Sequence, residues 1–120
     1  MTRAAFSLLI FSLYLFGLGA ILIVDPNFLL RFFGVAETRE VWIRVIGMLL
    51  LFLGFYDLMA SREELRVFFR WTVPVRLSVI VFFAVFVLLG WGPPALLFFG
   101  GVDAAAAVWT ALCLQQRAES

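Results

Sequence analysis

The chain alternates between four long apolar stretches and shorter segments that hold most of its charged residues. The apolar stretches are Ala4–Val24, Val41–Ala60, Val73–Gly90 and Pro94–Leu114. Because an α-helix rises about 1.5 Å per residue, about 20 residues cross the roughly 30 Å hydrocarbon core of a bilayer. The pattern therefore predicts an all-α integral membrane protein, with one domain over residues 1–120 that forms a bundle of four transmembrane helices.

The first two connecting segments carry helix signals of their own. Asp25–Asn27 has the Asp-Pro start of a short helix over Phe28–Phe33, which Gly34 would end. In the second segment Ser61 and Glu64 have the spacing of a capping box, which marks the start of a helix. Both segments are thus predicted to form short helices in the membrane interface.

Composition agrees with a membrane protein and excludes several kinds of chemistry. Apolar residues make up 65% of the chain and charged residues 14%, against about 45–50% and 25% in soluble domains. The chain has no histidine and a single cysteine, Cys113. Haem ligation by imidazole, the usual zinc sites, Ser-His-Asp catalysis and an internal disulfide are therefore excluded, and no metal or cofactor is predicted. The net charge of +1 gives no indication of nucleic-acid binding.

The distribution of arginine predicts how the chain is oriented. All nine basic residues are arginine, which is typical of a GC-rich bacterial genome. The N-terminus, the second connecting segment and the C-terminus hold more of them than the first segment does, and the third segment has none. The fuller side carries Arg3, Arg62, Arg66, Arg70, Arg76 and Arg117, and the other side carries Arg31, Arg39 and Arg44. The positive-inside rule then predicts that both termini and the second connecting segment lie in the cytoplasm. With the bacterial arginine usage, this gives a multi-pass protein of the bacterial inner membrane as the predicted location.

Three of these arginines form a regular series in the second connecting segment. Arg62, Arg66 and Arg70 recur every four residues, so on a helix they would form one basic stripe. Such a stripe predicts either contact with anionic lipid headgroups or docking of an acidic partner.

Small residues recur on one face of several crossings, where they would let a neighbouring helix approach closely. The predicted packing positions are Gly17, Gly47, Gly54, Gly100 and Ala107. The third crossing, rich in valine and phenylalanine, has no comparable face, and we expect it to contact lipid the most.

Charged residues inside the crossings are the candidate site. Asp103 lies near the middle of the fourth crossing, where a carboxylate costs about 2.5–3.5 kcal/mol to insert. Depth along the helices predicts an Asp57–Arg76 ion pair, and Arg44 could reach Asp103 through water or a tyrosine. The alternative to structural ion pairs is a polar pocket for a lipid, a quinone or a proton, lined by Tyr14, Arg44, Tyr56, Asp103 and Thr110.

Several of these features together resemble the DoxX-like superfamily of small bacterial membrane proteins. They are Asp-Pro with an apolar turn and glycine, Trp42–Gly47, Gly54–Tyr56 followed by a basic segment, and the Asp103 region that ends in Trp109. The resemblance implies a four-helix membrane bundle. Some members of that superfamily are subunits or helpers of membrane redox systems and most have no assigned activity, so the resemblance carries over no catalytic residue.

Three functional hypotheses follow. The first is a non-enzymatic accessory or structural subunit, bound in the lipid bilayer to another membrane protein or to itself within a larger, redox-type complex. The second is a binder of, or enzyme for, a lipid or quinone held in the polar pocket. The third is a homodimeric proton-coupled transporter.

Overall fold

A computed structural model of the protein describes residues 1–119, with side chains described as far as residue 115, and every regular element in that part is helical. The helices are α1 (Arg3–Val24), α2 (Pro26–Phe32), α3 (Trp42–Arg62), α4 (Arg66–Leu88) and α5 (Ala95–Glu119). In length and composition, α1, α3, α4 and α5 can each cross a membrane. The predicted all-α fold with four membrane spans is confirmed.

The short helix predicted in the first connecting segment is α2. Its N-terminal residue, Pro26, follows Asp25, whose carboxylate accepts a hydrogen bond from the amide of Phe28 at 3.3 Å. At the other end Gly34 adopts a φ of +69°, and the amide of Val35 donates to the carbonyl of Leu30. Glycine adopts this left-handed conformation without steric cost, which explains where the helix ends.

The second connecting segment differs from the prediction. α4 begins at Arg66 rather than at Val73 and runs continuously through Pro74, so no separate interfacial helix exists there. The apolar pattern extends outward through Phe69, whose side chain is fully buried. A proline inside a membrane helix removes one backbone hydrogen bond without ending the helix, because the freed carbonyl can find another partner.

The predicted capping box is also replaced by a different arrangement. Ser61 lies within the last turn of α3, and Glu64 has a φ of 53° in the turn that ends that helix. The Glu64 carboxylate instead accepts hydrogen bonds from the amide and hydroxyl of Thr2, both at 2.8 Å. The start of α1 therefore lies next to the turn between α3 and α4.

The helices divide into two compact units. One consists of residues 9–59, which hold most of α1, all of α2 and most of α3. Within it α1 and α3 cross at two glycines: a Cβ atom added to Gly47 would lie 2.7 Å from the carbonyl oxygen of Gly19. The contact at Gly54 is less close, because a Cβ atom added there would lie 3.3 Å from the Cβ of Leu15 and from the carbonyl oxygen of Ser12.

The other unit joins the first residues of α1 to α4 and α5. Here Gly100 of α5 meets the backbone of α4, because a Cβ atom at this position would lie 2.9 Å from the Cα of Ile80. Phe6 of α1 packs edge-on against Trp109 of α5, with ring centroids 6.2 Å apart. Fully buried side chains of this unit include Leu8 and Phe69.

Candidate functional site

Arg76 is a buried cation within a membrane-spanning helix, and its own helix provides part of its environment. It is 5% exposed. Its guanidinium donates from Nη2 to the hydroxyl of Thr72 at 2.9 Å and from Nε to the Thr72 carbonyl at 3.3 Å. The Thr72 hydroxyl in turn donates to the carbonyl of Phe69 at 2.8 Å. These bonds direct the arginine back along α4 toward its N-terminal end, the direction that helix side chains favour.

Asp103 on α5 lies at the same level as this arginine. The contact of Gly100 with Ile80 sets the register of the antiparallel helices, so Asp103 is level with Leu77, next to Arg76. The carboxylate is partly buried and interacts electrostatically with Arg76. The two opposite charges offset part of the cost of placing either one in the membrane.

The sequence predicts Asp57 as the partner of Arg76 and Arg44 as the partner of Asp103. Both Asp57 and Arg44 belong to the unit of residues 9–59. Arg44 is exposed and donates a hydrogen bond to the carbonyl of Ile23. Asp57 is buried. The predicted pairs Asp57–Arg76 and Arg44–Asp103 each join residues of different units and stay predictions.

Thr110, which the sequence placed in the wall of a pocket, takes part in a buried hydrogen bond between α1 and α5. Its Oγ1 lies 2.7 Å from the Oγ of Ser7, and both residues are almost completely buried. Since the single Ser7 hydroxyl proton is donated to the carbonyl of Ala4 at 2.7 Å, Thr110 is the donor to Ser7. This geometry ties two helices together and leaves the Thr110 hydroxyl inaccessible.

The two tyrosines of the predicted pocket differ in how far they are buried. Tyr14 is partly buried, with its ring 5.7 Å from that of Phe11. Tyr56 is 61% exposed and packs edge-on against Phe55 on the outside of α3. Tyr56 therefore faces the surroundings of the chain rather than an enclosed cavity.

Four of the five small residues predicted to pack are at close helix contacts or in the core. Gly47, Gly54 and Gly100 make the approaches described above, and Ala107 is completely buried. Gly17 differs, because a Cβ atom there would have no atom within 4 Å, and Gly19 takes its place. Leu15 and Leu22, four residues before and three residues after Gly19, are buried on the same face of α1.

α5 carries a second set of small residues, on a face about 120° around the helix from Gly100 and Ala107. A Cβ atom added to Gly101 would meet nothing within 4 Å, and Ala105 is exposed. Val108 and Leu112 continue this outward face at helical spacing and are both about half exposed. We call Gly101, Ala105, Val108 and Leu112 the outer face of α5. Sequence reasoning missed it because Gly100 and Gly101 are adjacent and only the first was assigned to packing.

The three arginines of the predicted stripe are divided between two helices. Arg62 is the last residue of α3, whereas Arg66 and Arg70 lie one turn apart at the start of α4. Arg62 and Arg70 are exposed. Arg66 is partly buried, and its Nη1 is enclosed without a hydrogen-bond partner among the described residues. We call these three residues the basic patch.

No known protein family, characterised protein or solved structure matches this chain. Among the described residues, no group of three or more histidine, cysteine, aspartate or glutamate side chains is arranged to hold a metal ion.

Proposed function

We propose that the protein is a non-enzymatic membrane subunit that binds another membrane protein within the bilayer through the outer face of α5. The observation that carries this proposal is the combination of Gly101, which has open space where its side chain would be, with the exposed small residue Ala105 one turn further along α5. Glycine destabilises a helix interior by roughly 0.5–1 kcal/mol relative to alanine. At Gly100 a close helix contact within the chain accounts for the glycine, and at Gly101 no such contact does.

The chemistry of the outer face suits a second helix better than lipid alone. Small residues four apart, such as Gly101 and Ala105, let two helix backbones approach closely in a membrane, where packing drives association. Val108 and Leu112 extend this face by two turns with exposed apolar side chains. Lipid tails surround apolar side chains equally well without a groove. Close packing of a second helix, by contrast, requires the shallow groove that glycine leaves.

The burial of α4 makes it the reference helix for testing this proposal. Only 6% of its apolar segment is buried within the chain, against 39% for α1. We therefore assign the exposed surface of α4 to lipid and the interface to α5. A bacterial inner-membrane redox complex is the class of partner that the DoxX-like resemblance implies.

Photo-crosslinking in intact membranes tests the proposal. A benzophenone amino acid is placed at Val108, on the outer face of α5, and at Val81, an equally apolar exposed position on α4. We expect a discrete heavier adduct from Val108 that mass spectrometry identifies as a protein. Lipid adducts alone at both positions would contradict the proposal.

Gly101→Ile supplies the matched variant. A side chain at this position would extend into space that no other residue of the chain occupies. The monomer should therefore keep its helix content and thermal stability. It would block close approach of a partner helix, and we expect the Val108 adduct to fall at least tenfold. An unchanged adduct yield would show that the groove at Gly101 is not part of the interface.

The polar-pocket alternative depends on Asp103, which lies level with Arg76, and a separate result distinguishes it from the subunit proposal. Native mass spectrometry of gently extracted protein would then reveal one retained hydrophobic molecule, lost on Asp103→Ala while the fold persists. Substrate-dependent proton flux in liposomes would instead support the transporter. Either result without a protein adduct at Val108 would replace the subunit proposal.

A further inference from the structure

We propose that the basic patch of Arg62, Arg66 and Arg70 binds the headgroups of anionic phospholipids. The inference concerns a different surface from the outer face of α5 and does not depend on the proposed subunit function.

The helix geometry places the patch at headgroup level. From Leu88, the last residue of α4, Arg70 lies 18 residues away and Arg66 lies 22 residues away. At about 1.5 Å per residue these separations are roughly 27 and 33 Å, which bracket the roughly 30 Å hydrocarbon thickness. Trp71 next to Arg70 is 65% exposed, as expected for an aromatic anchor in the interface. Arg62, at the end of α3, lies beyond the apolar segment of that helix as well.

The charges around the patch leave its arginines available. Residues 61–72 contain three arginines and two glutamates, and one of these, Glu64, has its carboxylate engaged by Thr2. In the first connecting segment, by contrast, Arg31 forms a salt bridge with Glu37 at 3.0 Å. No salt bridge within the described residues involves Arg66, and its Nη1 has no acceptor. A guanidinium nitrogen enclosed without a partner gains from turning outward to a phosphate oxygen.

The residues between the arginines favour a lipid over an acidic soluble protein. Leu65 and Val67 are about half exposed and apolar, and they alternate along the chain with the arginines. A surface of this kind matches a ligand with a negative headgroup joined to an apolar body, and it would be poorly solvated in water.

Native mass spectrometry of the full-length chain tests the inference. The protein is purified in mixed micelles that contain equal amounts of phosphatidylglycerol and phosphatidylcholine, and the ratio of the two lipids retained is measured. The test variant is R66Q/R70Q. The matched control, R31Q/R39Q, removes the same charge from the opposite side of the membrane. Circular dichroism and thermal melting establish that each variant is folded.

We expect wild type and R31Q/R39Q to retain phosphatidylglycerol preferentially. In R66Q/R70Q the preference should fall about 30-fold, since each arginine near the headgroups contributes about 1 kcal/mol. A ratio within twofold of wild type in R66Q/R70Q, or an equal fall in the control, would overturn the proposal. Loss of a co-purifying acidic protein with an unchanged lipid ratio would assign the patch to a protein partner instead.

Discussion

At the scale of a single residue, the hydroxyl of Thr110 joins α5 to α1. It donates to Ser7, and Ser7 donates to a backbone carbonyl of its own helix, so both buried groups have partners. In a membrane such side-chain bonds between helices contribute about 0.6 kcal/mol on average and up to about 1.7 kcal/mol, because polar groups find other partners in the unfolded reference state.

Thr110→Val should therefore destabilise the protein by about 1 kcal/mol without changing its helix content. The valine keeps the shape of the side chain and removes the donor to Ser7. Ser78→Ala is the control, because the Ser78 hydroxyl donates its hydrogen bond to the carbonyl of Val75 within its own helix. Unfolding by steric trapping in bicelles measures both variants, and equal losses of stability would contradict the role assigned to the Ser7–Thr110 bond.

At the scale of elements, glycine position decides how α1 and α3 meet. A Cβ atom added to either Gly19 or Gly47 would lie 2.7 Å from the carbonyl oxygen of the other glycine. Backbone atoms cannot move aside as a flexible side chain can. Gly17, two residues from Gly19, has open space at the same point. The two glycines of α1 therefore provide a direct comparison between a packed and an unpacked position.

Gly47→Ala should lower the free energy of unfolding by about 1–3 kcal/mol, because the added methyl group forces the two backbones apart. Gly17→Ala should be neutral or stabilise the protein by up to about 1 kcal/mol, since it removes the conformational cost of glycine at an open site. Thermal unfolding in detergent, followed by circular dichroism, measures both. A Gly47→Ala protein as stable as Gly17→Ala would rule out the close crossing.

For the whole molecule, the hydrogen bonds of Thr2 to Glu64 place the N-terminus and the α3–α4 turn on the same side. The arginine distribution predicts that this side is the cytoplasm. The first connecting segment, which contains α2, would then face the opposite compartment.

Cysteine accessibility in intact cells tests this orientation. In a Cys113→Ser background, Glu37→Cys should react with a membrane-impermeant maleimide, whereas Glu63→Cys should react only after the cells are opened. Both positions are exposed, so the difference reports the compartment rather than burial. Labelling of Glu63→Cys in intact cells would reverse the predicted orientation.

The sequence alone determined the fold class, the four spans and the helix α2, because these depend on local hydrophobicity and on turn chemistry such as Asp25 and Gly34. It misplaced the start of α4 at Val73, where the long apolar stretch begins, whereas the helix starts at Arg66 and includes Arg66 and Arg70 in its first turns. It placed Ser61 and Glu64 in a capping box, whereas the chain uses Glu64 to hold Thr2, which is distant in sequence.

Only the tertiary structure decided which small and polar residues meet. The choice of Gly19 over Gly17, the Ser7–Thr110 bond and the level of Asp103 beside Arg76 all depend on helix rotation and register. Hydrophobicity does not determine these in a membrane, because lipid and protein interiors are equally apolar. Packing geometry and the few available hydrogen bonds determine them instead, and both arise from residues far apart in the chain.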